Sequence, residues 1–196
     1  MSGLFESFTK VPRLNREIVV TEKIDGTNAQ IYIPIVPVED DKNSIATFDY
    51  KGKIVPIYAG SRKRWITPDN DNFGFAKWVQ EHAIELFTTL GYGRHFGEWW
   101  GKGIQRGYGL DHKRFSLFNT NRWNKLSSDF GLGCVPVLWY GLFKEFSIEN
   151  MVYTLKGNSR AAPGYDNPEG FMVYHSAANS LFKYTLDSND EHKGTV

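Results

Sequence analysis

Residues 21–28 read TEKIDGTN and lie between two runs of mostly apolar residues, at 17–24 and 29–38. An Asp-Gly pair between two such runs is typical of a β-hairpin. The sequence therefore predicts two strands that pair directly, with Lys23 at the end of the first strand and Asp25 and Gly26 in the turn. Because glycine has no side chain, Gly26 also allows a close approach of another chain or a ligand.

The rest of the chain alternates between predicted strands and a few helices. Apolar residues recur at helical spacing over 73–90, and a shorter helix is predicted over 148–155, with Ser147 as N-cap and Gly157 after its end. This pattern predicts an α+β fold built mainly on antiparallel sheets. Six further strands are predicted at 54–59, 94–100, 114–118, 135–143, 170–174 and 181–186.

The composition excludes several classes of protein. A chain of 196 residues suits one domain, which we expect over 1–187, followed by a polar tail over 188–196. Cys134 is the only cysteine, which excludes an intrachain disulfide and a zinc site of several thiolates. The sequence has neither a signal-peptide pattern nor an apolar run that could span a membrane, so we expect a cytoplasmic protein.

Charge gives only a local indication of function. The formal net charge is +1, which does not by itself indicate a nucleic-acid partner. Between residues 101 and 125, however, six cations stand against the single acid Asp111. Such a cluster fits either a solvated face or a groove that follows phosphates.

Lys23 is the first candidate for chemistry. A lysine amine with an ordinary pKa near 10.4 is neutral only about once in 2,500 molecules at pH 7. A nucleophilic lysine therefore needs a cleft with desolvation or neighbouring cations to lower its pKa. The alternative is an ordinary turn with a solvated lysine, so the motif needs support from elsewhere in the chain.

Several later motifs offer that support, each with a plainer alternative. Residues 61–64, SRKR, could hold phosphates or be a basic surface loop. Glu98, inside the apolar strand GEWWG, could accept from a ribose or form a salt bridge in the core. Glu169 at the start of a strand suits Mg²⁺ bound to phosphates. Lys183, in the middle of an apolar strand, is predicted to be buried and to bind an anion.

Taken in order, these motifs resemble the nucleotidyltransferase motifs of the covalent ligase and capping-enzyme superfamily. The similarity is greatest to the RNA ligase 2-like family, through Glu22 to Asn28 and the segment GEWWGKGIQ that begins at Gly97. It extends over residues 16–186. The resemblance implies an ATP-grasp-like ligase adenylation domain. The motifs that carry it are EKIDGTN at 22–28, SRKR at 61–64, GEWWG at 97–101, FSLFN at 115–119, EG at 169–170 and FK at 182–183.

The resemblance also implies roles for individual residues. Lys23 would attack ATP and form lysyl-AMP, and Asp25 would act through its neighbours. Adenosine would be held by three residues. The phosphates would be held by Asn28, Lys183 and one or both of Arg62 and Arg64, with Mg²⁺ (or Mn²⁺) on Glu169. Of the three residues that would hold adenosine, Glu22 (with the backbone beside it) and Phe118 would contact adenine, and Glu98 would contact the ribose.

The implied activity is that of a minimal ATP-dependent RNA ligase that joins a 5′-phosphate to a 3′-hydroxyl, with RNA a more probable substrate than DNA. The family usually has a second lysine where this chain has Thr185, a place that Lys193 could fill. No C-terminal OB or helical domain follows in the sequence, so an accessory protein or self-association could replace one. Two alternatives stay open: a related nucleotidyltransferase, such as a guanylyltransferase or an enzyme acting on DNA, and a nucleic-acid-binding module without full activity.

Overall fold

The computed structural model describes residues 4, 6–36, 42–71 and 73–187. Strands β1 (Glu17–Lys23) and β2 (Thr27–Ile33) leave the Asp25-Gly26 turn in two different sheets. The predicted hairpin is therefore wrong, because the turn is a crossover between sheets. A Cβ atom on Gly26 would lie 2.5 Å from the carbonyl oxygen of Trp99, so the turn packs against the backbone of a strand in the second sheet.

The smaller sheet has four antiparallel strands in the order β11-β10-β1-β9. One face packs against helix α4 (Ile148–Leu155) through a cluster of Ile18, Val20, Met151, Leu155 and Phe171. The opposite face carries the side chain of Lys23. The other strands of this sheet are β9 (Val137–Leu142), β10 (Gly170–His175) and β11 (Ser180–Thr185).

The larger sheet has the order β3-β4-β2-β6-β7-β8, with β5 paired to β4, and only β7 and β8 run parallel. One face is covered by α1 (Phe75–Glu81) and α2 (Ala83–Leu90) over the main hydrophobic core. The short helix α3 (Thr120–Trp123) follows β7. The remaining strands are β3 (Ala46–Tyr50), β4 (Lys53–Ser61), β5 (Trp65–Ile66), β6 (Gly93–Gly101), β7 (Lys113–Leu117) and β8 (Leu132–Cys134).

A third cluster joins the two sheets. It contains Ile24 after β1, Trp100 on β6, Tyr108, Val135 and Ala162. Because Ile24 directly follows the strand that carries Lys23 and Trp100 lies on the strand that carries Glu98, the cluster connects these two strands.

The predicted α+β fold on mainly antiparallel sheets is confirmed, with differences in detail. The helix predicted over 73–90 is two helices, because His82 leaves helical geometry (φ −112°, ψ 23°). The helix over 148–155 is confirmed, and Ser147 Oγ accepts from the Asn150 N–H at 3.1 Å. The strand predicted over 135–143 begins later, at Val137, after Pro136. Residues 37–38 of the second predicted strand, the tail 188–196 and Lys193 lie outside the described residues.

None of the helices in the described part of the chain is long and apolar enough to cross a membrane.

Candidate active site

Lys23 and Glu169 form an ion pair on the open face of the smaller sheet. Lys23 ends β1 and lies opposite Gly170, the first residue of β10, so the register places Glu169 beside the lysine amine. Both side chains are mostly buried, with 24% and 16% exposed. The two residues that the sequence assigns to nucleophile and metal are therefore in direct contact.

Glu98 lies on the larger sheet and faces this pair. It is 7% exposed, and its Oε2 accepts a hydrogen bond from Asn28 Nδ2 at 2.8 Å. Burial raises the pKa of Glu98 to about 7, although the Asn28 hydrogen bond and the charge of Lys23 act in the opposite direction. The sequence correctly predicts a buried carboxylate here, but its partner is an amide and not a salt bridge.

Asp25 is held by Arg106, a residue whose role no local sequence pattern indicates. Arg106 Nε donates to Asp25 Oδ2 at 3.0 Å, Nη1 donates to the carbonyl of Asn167 at 3.0 Å, and Nη2 forms an ion pair with Asp187. The backbone N–H of Asp25 donates to Tyr108 Oη at 2.8 Å. Arg106 therefore connects the turn after Lys23, the loop before Glu169 and the end of β11. In the sequence it is only one cation of the basic cluster.

Glu22 is buried and fully engaged in hydrogen bonds. Its carboxylate is 1% exposed and accepts hydrogen bonds from Ser159 Oγ (2.6 Å) and from the backbone N–H groups of Arg160 (2.7 Å) and Ala161 (2.8 Å). Glu22 and Phe171 are partners in the register, so they share the face that packs against α4, opposite to Lys23. Because strand neighbours point to opposite faces, the Glu22 carboxylate lies on the other face of β1 from Lys23, where it holds the 159–161 loop. The adenine-binding role that the resemblance implies for Glu22 stays a prediction.

Lys183 shares the face of the sheet that carries Lys23. The register aligns Thr21, Met172 and Lys183 in one row next to the row of Lys23. The prediction that Lys183 is buried is wrong, because β11 is an edge strand and the side chain is exposed. Its amine is therefore free to approach a phosphate from the open side of the cleft.

The basic turn after β4 carries two exposed arginines, of which Arg64 is held by hydrogen bonds. Arg64 Nη2 donates to Asn70 Oδ1 at 3.1 Å, and Arg62 is exposed in the turn. A cavity of about 130 Å³ lies beside the turn, lined in part by Asn28, Ser61 and Arg64. The structure thus brings Arg64 and Asn28 to the same cavity, beside the first residues of β2 and the last residues of β4.

Phe118 follows β7 and has 42% of its surface exposed. Its backbone N–H donates to the carbonyl of Phe96 at 3.0 Å. Ser116 lies opposite Glu98 in the register, and Phe118, two residues later, falls on the same side as Ser116 by strand alternation. The ring can therefore line the cleft that contains Glu98.

The model of the RNA ligase family matches residues 16–185 of the chain. The chain belongs to the RNA ligase family. No curated protein sequence matches this family member.

Solved structures give the same fold. An RNA ligase mutant of Naegleria gruberi with ATP and Mn is 18% identical, with a TM-score of 0.59, over 89% of this chain and 51% of that chain. Another mutant of that ligase with AMP and Mn is 18% identical, with a TM-score of 0.59, over 95% and 57%. An apo mutant of that ligase is 18% identical, with a TM-score of 0.56, over 95% of this chain and 57% of that chain. This RNA ligase family member thus spans little more than half the length of those ligases.

The carboxylate of Glu169 fits a divalent cation. Its Oε2 atom is buried and has no hydrogen-bond partner, whereas Oε1 contacts Lys23. Among the described residues no group of three or more His, Cys, Asp or Glu side chains could enclose a metal ion. Mg²⁺ is commonly held by one or two carboxylates together with phosphate oxygens and water. Glu169 could therefore supply one ligand of a cation that a nucleotide brings with it.

Proposed function

We propose that residues 1–187 form the adenylyltransferase domain of an ATP-dependent RNA ligase and that Lys23 is its nucleophile. The observation that carries the proposal is the arrangement around Lys23. Its amine contacts Glu169 on one sheet and faces the buried Glu98 on the other. A nucleotide bound between the sheets would meet an amine, a carboxylate with an unpartnered oxygen and an acceptor for hydroxyl groups.

In the first reaction the Lys23 nitrogen attacks the α-phosphorus of ATP. The Lys23 ammonium first gives one proton to water, which exposes the lone pair on Nζ. An N–P bond then forms, the bond from phosphorus to the pyrophosphate oxygen breaks, pyrophosphate leaves, and the nitrogen gives a second proton to water. Attack needs a free lone pair on Nζ, so the ion pair with Glu169 has to break first. A divalent cation, when bound, neutralises charge on the phosphates. Glu169 would then exchange its contact with Lys23 for one with that cation.

The other residues hold the nucleotide in place. Glu98 would accept hydrogen bonds from ribose hydroxyls once it is ionised, with Asn28 fixing its orientation. Phe118 would stack on adenine, since its exposed ring lies on the same side of the larger sheet as Glu98. Positive charge for the phosphates would come from Lys183, Arg62 and Arg64.

The later reactions require a nucleic-acid partner. AMP passes from Lys23 to a 5′-phosphate, and a 3′-hydroxyl then attacks that phosphate and expels AMP. We propose RNA as the substrate and end joining in RNA repair as the task. An accessory protein or a second copy of the chain would assist if the 1–187 domain adenylylates itself and yet joins ends poorly.

The test is incubation with ATP labelled at the α-phosphate and Mg²⁺, followed by denaturation and detection of bound label. We expect label on the wild type and on Lys156→Ala, a control lysine beyond α4, but not on Lys23→Ala. Far-UV circular dichroism establishes that all three are folded. Covalent AMP on Lys23→Ala would contradict the assignment of the nucleophile. A preference for labelled GTP would favour a guanylyltransferase, and RNA binding without label would favour a binding module.

A metal titration tests Glu169 separately. Glu169→Gln should raise the Mg²⁺ or Mn²⁺ concentration needed for half-maximal labelling, because the amide is a weaker ligand than a carboxylate. An unchanged metal dependence would remove Glu169 from the metal site while leaving Lys23 as the nucleophile.

A further inference from the structure

A second surface begins one row away from Glu98 on the same side of the larger sheet. Asn28 and Glu98 are register partners, Gln30 and Phe96 form the next row, and Tyr32 and Arg94 form the row after that. Trp65 of β5 packs beside Tyr32. We call the surface of Gln30, Tyr32, Trp65, Arg94 and Phe96 the aromatic face.

Arg94 is fixed on the aromatic face although its side chain is exposed. Its guanidinium carbon lies 4.0 Å from the ring centroid of Tyr32 and 5.3 Å from that of Trp65. Nη1 also donates to Gln30 Oε1 at 3.1 Å. Stacking and one hydrogen bond orient a guanidinium that has five N–H donors. Such an arginine is preorganised to bind a phosphate, because its side chain loses less rotational freedom on binding.

Phe96 is an exposed ring in the interior of a sheet. β6 lies between β2 and β7, yet 51% of the Phe96 surface is exposed. Its carbonyl accepts from the N–H of Phe118, whose ring is 42% exposed. The other side of the same sheet is buried under α1 and α2, so the exposed rings belong to the side that faces the cleft. Exposed aromatic rings on a sheet are a common platform for stacked bases.

The charge around the aromatic face favours a polyanion. Within the three rows named above, Glu98 is the single carboxylate, and it lies at the active-site end. Arg62, Lys63 and Arg64 follow the end of β4, whose Gly60 is the register partner of Gln30. The face thus combines fixed and nearby cations with exposed rings, and it is continuous with the site of Lys23.

We propose that the aromatic face binds the polynucleotide strand that delivers the 5′-phosphate to lysyl-AMP. This inference rests on the proposed function and deepens it. Arg94 holds a backbone phosphate, and Phe96 stacks on a base. Along β6, Phe96 is about 7 Å and Arg94 about 14 Å from Glu98, at the usual rise of an antiparallel strand. A strand lying on the face therefore extends away from the reacting phosphate.

The experiment compares Arg94→Gln and Phe96→Thr with wild type in two assays. Threonine is used because it keeps the β preference of the strand. The first assay is binding of a fluorescent 5′-phosphorylated single-stranded RNA, followed by anisotropy at several salt concentrations. The second separates labelling of the protein by ATP from transfer of AMP to that RNA. Tyr153→Ala and Lys156→Ala, at and beyond α4 on the far side of the smaller sheet, are the matched controls.

We expect each variant to bind the RNA roughly tenfold more weakly and to transfer AMP more slowly, with normal labelling by ATP. Arg94→Gln should also lower the slope of binding against salt by about one ion. Wild-type affinity in both variants would overturn the inference. So would normal AMP transfer together with failure to join a pre-adenylylated RNA, because the face would then serve the 3′-hydroxyl strand.

The two proposals fail in different ways. A wild-type protein that takes no label from ATP contradicts the proposed function, and the anisotropy assay still decides the aromatic face. If Phe96→Thr melts at a much lower temperature than wild type, its weaker binding could reflect unfolding. Arg94→Gln alone then tests the aromatic face, since the Arg94 side chain is exposed and its removal leaves the core unchanged.

Discussion

Arg106 Nε donates to Asp25 Oδ2 at 3.0 Å, although 81 residues separate them in the sequence. The same guanidinium reaches the carbonyl of Asn167 and the carboxylate of Asp187. Three segments of the active site are thereby fixed by one side chain: the turn after Lys23, the loop before Glu169 and the end of β11. Arg106 contacts none of the reacting atoms, so it is a positioning residue.

Arg106→Ala should slow the formation of lysyl-AMP roughly tenfold to a hundredfold, because a small displacement of the Lys23 nitrogen from the α-phosphorus costs that much in rate. It should also lower the free energy of unfolding by about 2 kcal/mol, since two carboxylates lose a charged partner. Single-turnover labelling and urea denaturation measure the two effects.

The partner variants show whether Arg106 acts through Asp25. Asp25→Asn and Arg106→Ala should lose less in combination than the sum of their separate losses, since both break the same contact. Additive losses in labelling rate would mean that Arg106 acts through Asp187 or Asn167 instead.

Glu98→Gln should be more stable than wild type at neutral and alkaline pH. The folded pKa of Glu98 is about 7, against an ordinary value of 4.5, so the folded protein binds more protons than the unfolded chain between these values. Its stability therefore falls as pH rises from 4.5 to 7 and changes no further above that range. Relative to Gln at this position, the loss approaches about 3 kcal/mol.

Urea denaturation of both proteins at pH 4, 6 and 8 measures this difference. The two curves should be close at pH 4 and separate as the pH rises. A constant difference between the proteins across this range would show that Glu98 ionises normally. The Gln variant should be labelled by ATP more slowly at neutral pH, because its neutral amide oxygen is a weaker acceptor for ribose hydroxyls than a carboxylate.

Glu22→Ala should destabilise the fold and leave nucleotide choice unchanged. It removes the acceptor for Ser159 Oγ and for two backbone N–H groups, which costs about 3 kcal/mol. Thermal melting measures the loss, and competition between ATP and GTP in the labelling assay measures choice. A stable variant that accepts GTP would support the direct role in reading adenine.

Gly26→Ala should lower the free energy of unfolding by about 2 kcal/mol through overpacking, because its Cβ would lie 2.5 Å from the Trp99 carbonyl oxygen. Gly133→Ala is a suitable control, since its nearest neighbour would be 3.8 Å away. Urea denaturation compares the two. Equal stabilities would mean that the turn can shift away from β6 without cost.

The sequence predicts α4 and most of the strands because their local patterns are strong, and it misses β3, β5 and β8. It predicts the pairing of β1 and β2 wrongly because Asp-Gly favours a tight turn without specifying which strands pair. The packing of Gly26 against Trp99, which separates the two strands, is a contact between residues far apart in the chain. No local pattern contains that information.

For the candidate site, the sequence predicts which residues come together better than it predicts the direction and burial of their side chains. Lys23, Glu98 and Glu169 lie together, as the order of motifs implies. The sequence does not indicate which face of β1 the Glu22 side chain occupies, and its expectation that Lys183 is buried is wrong. Glu22 faces α4 because of strand alternation, and Lys183 is exposed because β11 is an edge strand. Arg106 was missed because its three partners are distant in sequence.

The crossover between the sheets has a consequence for searches and for protein design. Lys23 is the last residue of β1 in the smaller sheet, and Thr27 is the first residue of β2 in the larger sheet. The three residues between them therefore set how the two sheets are placed on either side of the cleft. One inserted or deleted residue there would rotate a whole sheet relative to the nucleophile. A search profile for distant homologues should therefore penalise gaps heavily between these positions, and a designer should graft the segment from Lys23 to Thr27 as one indivisible unit.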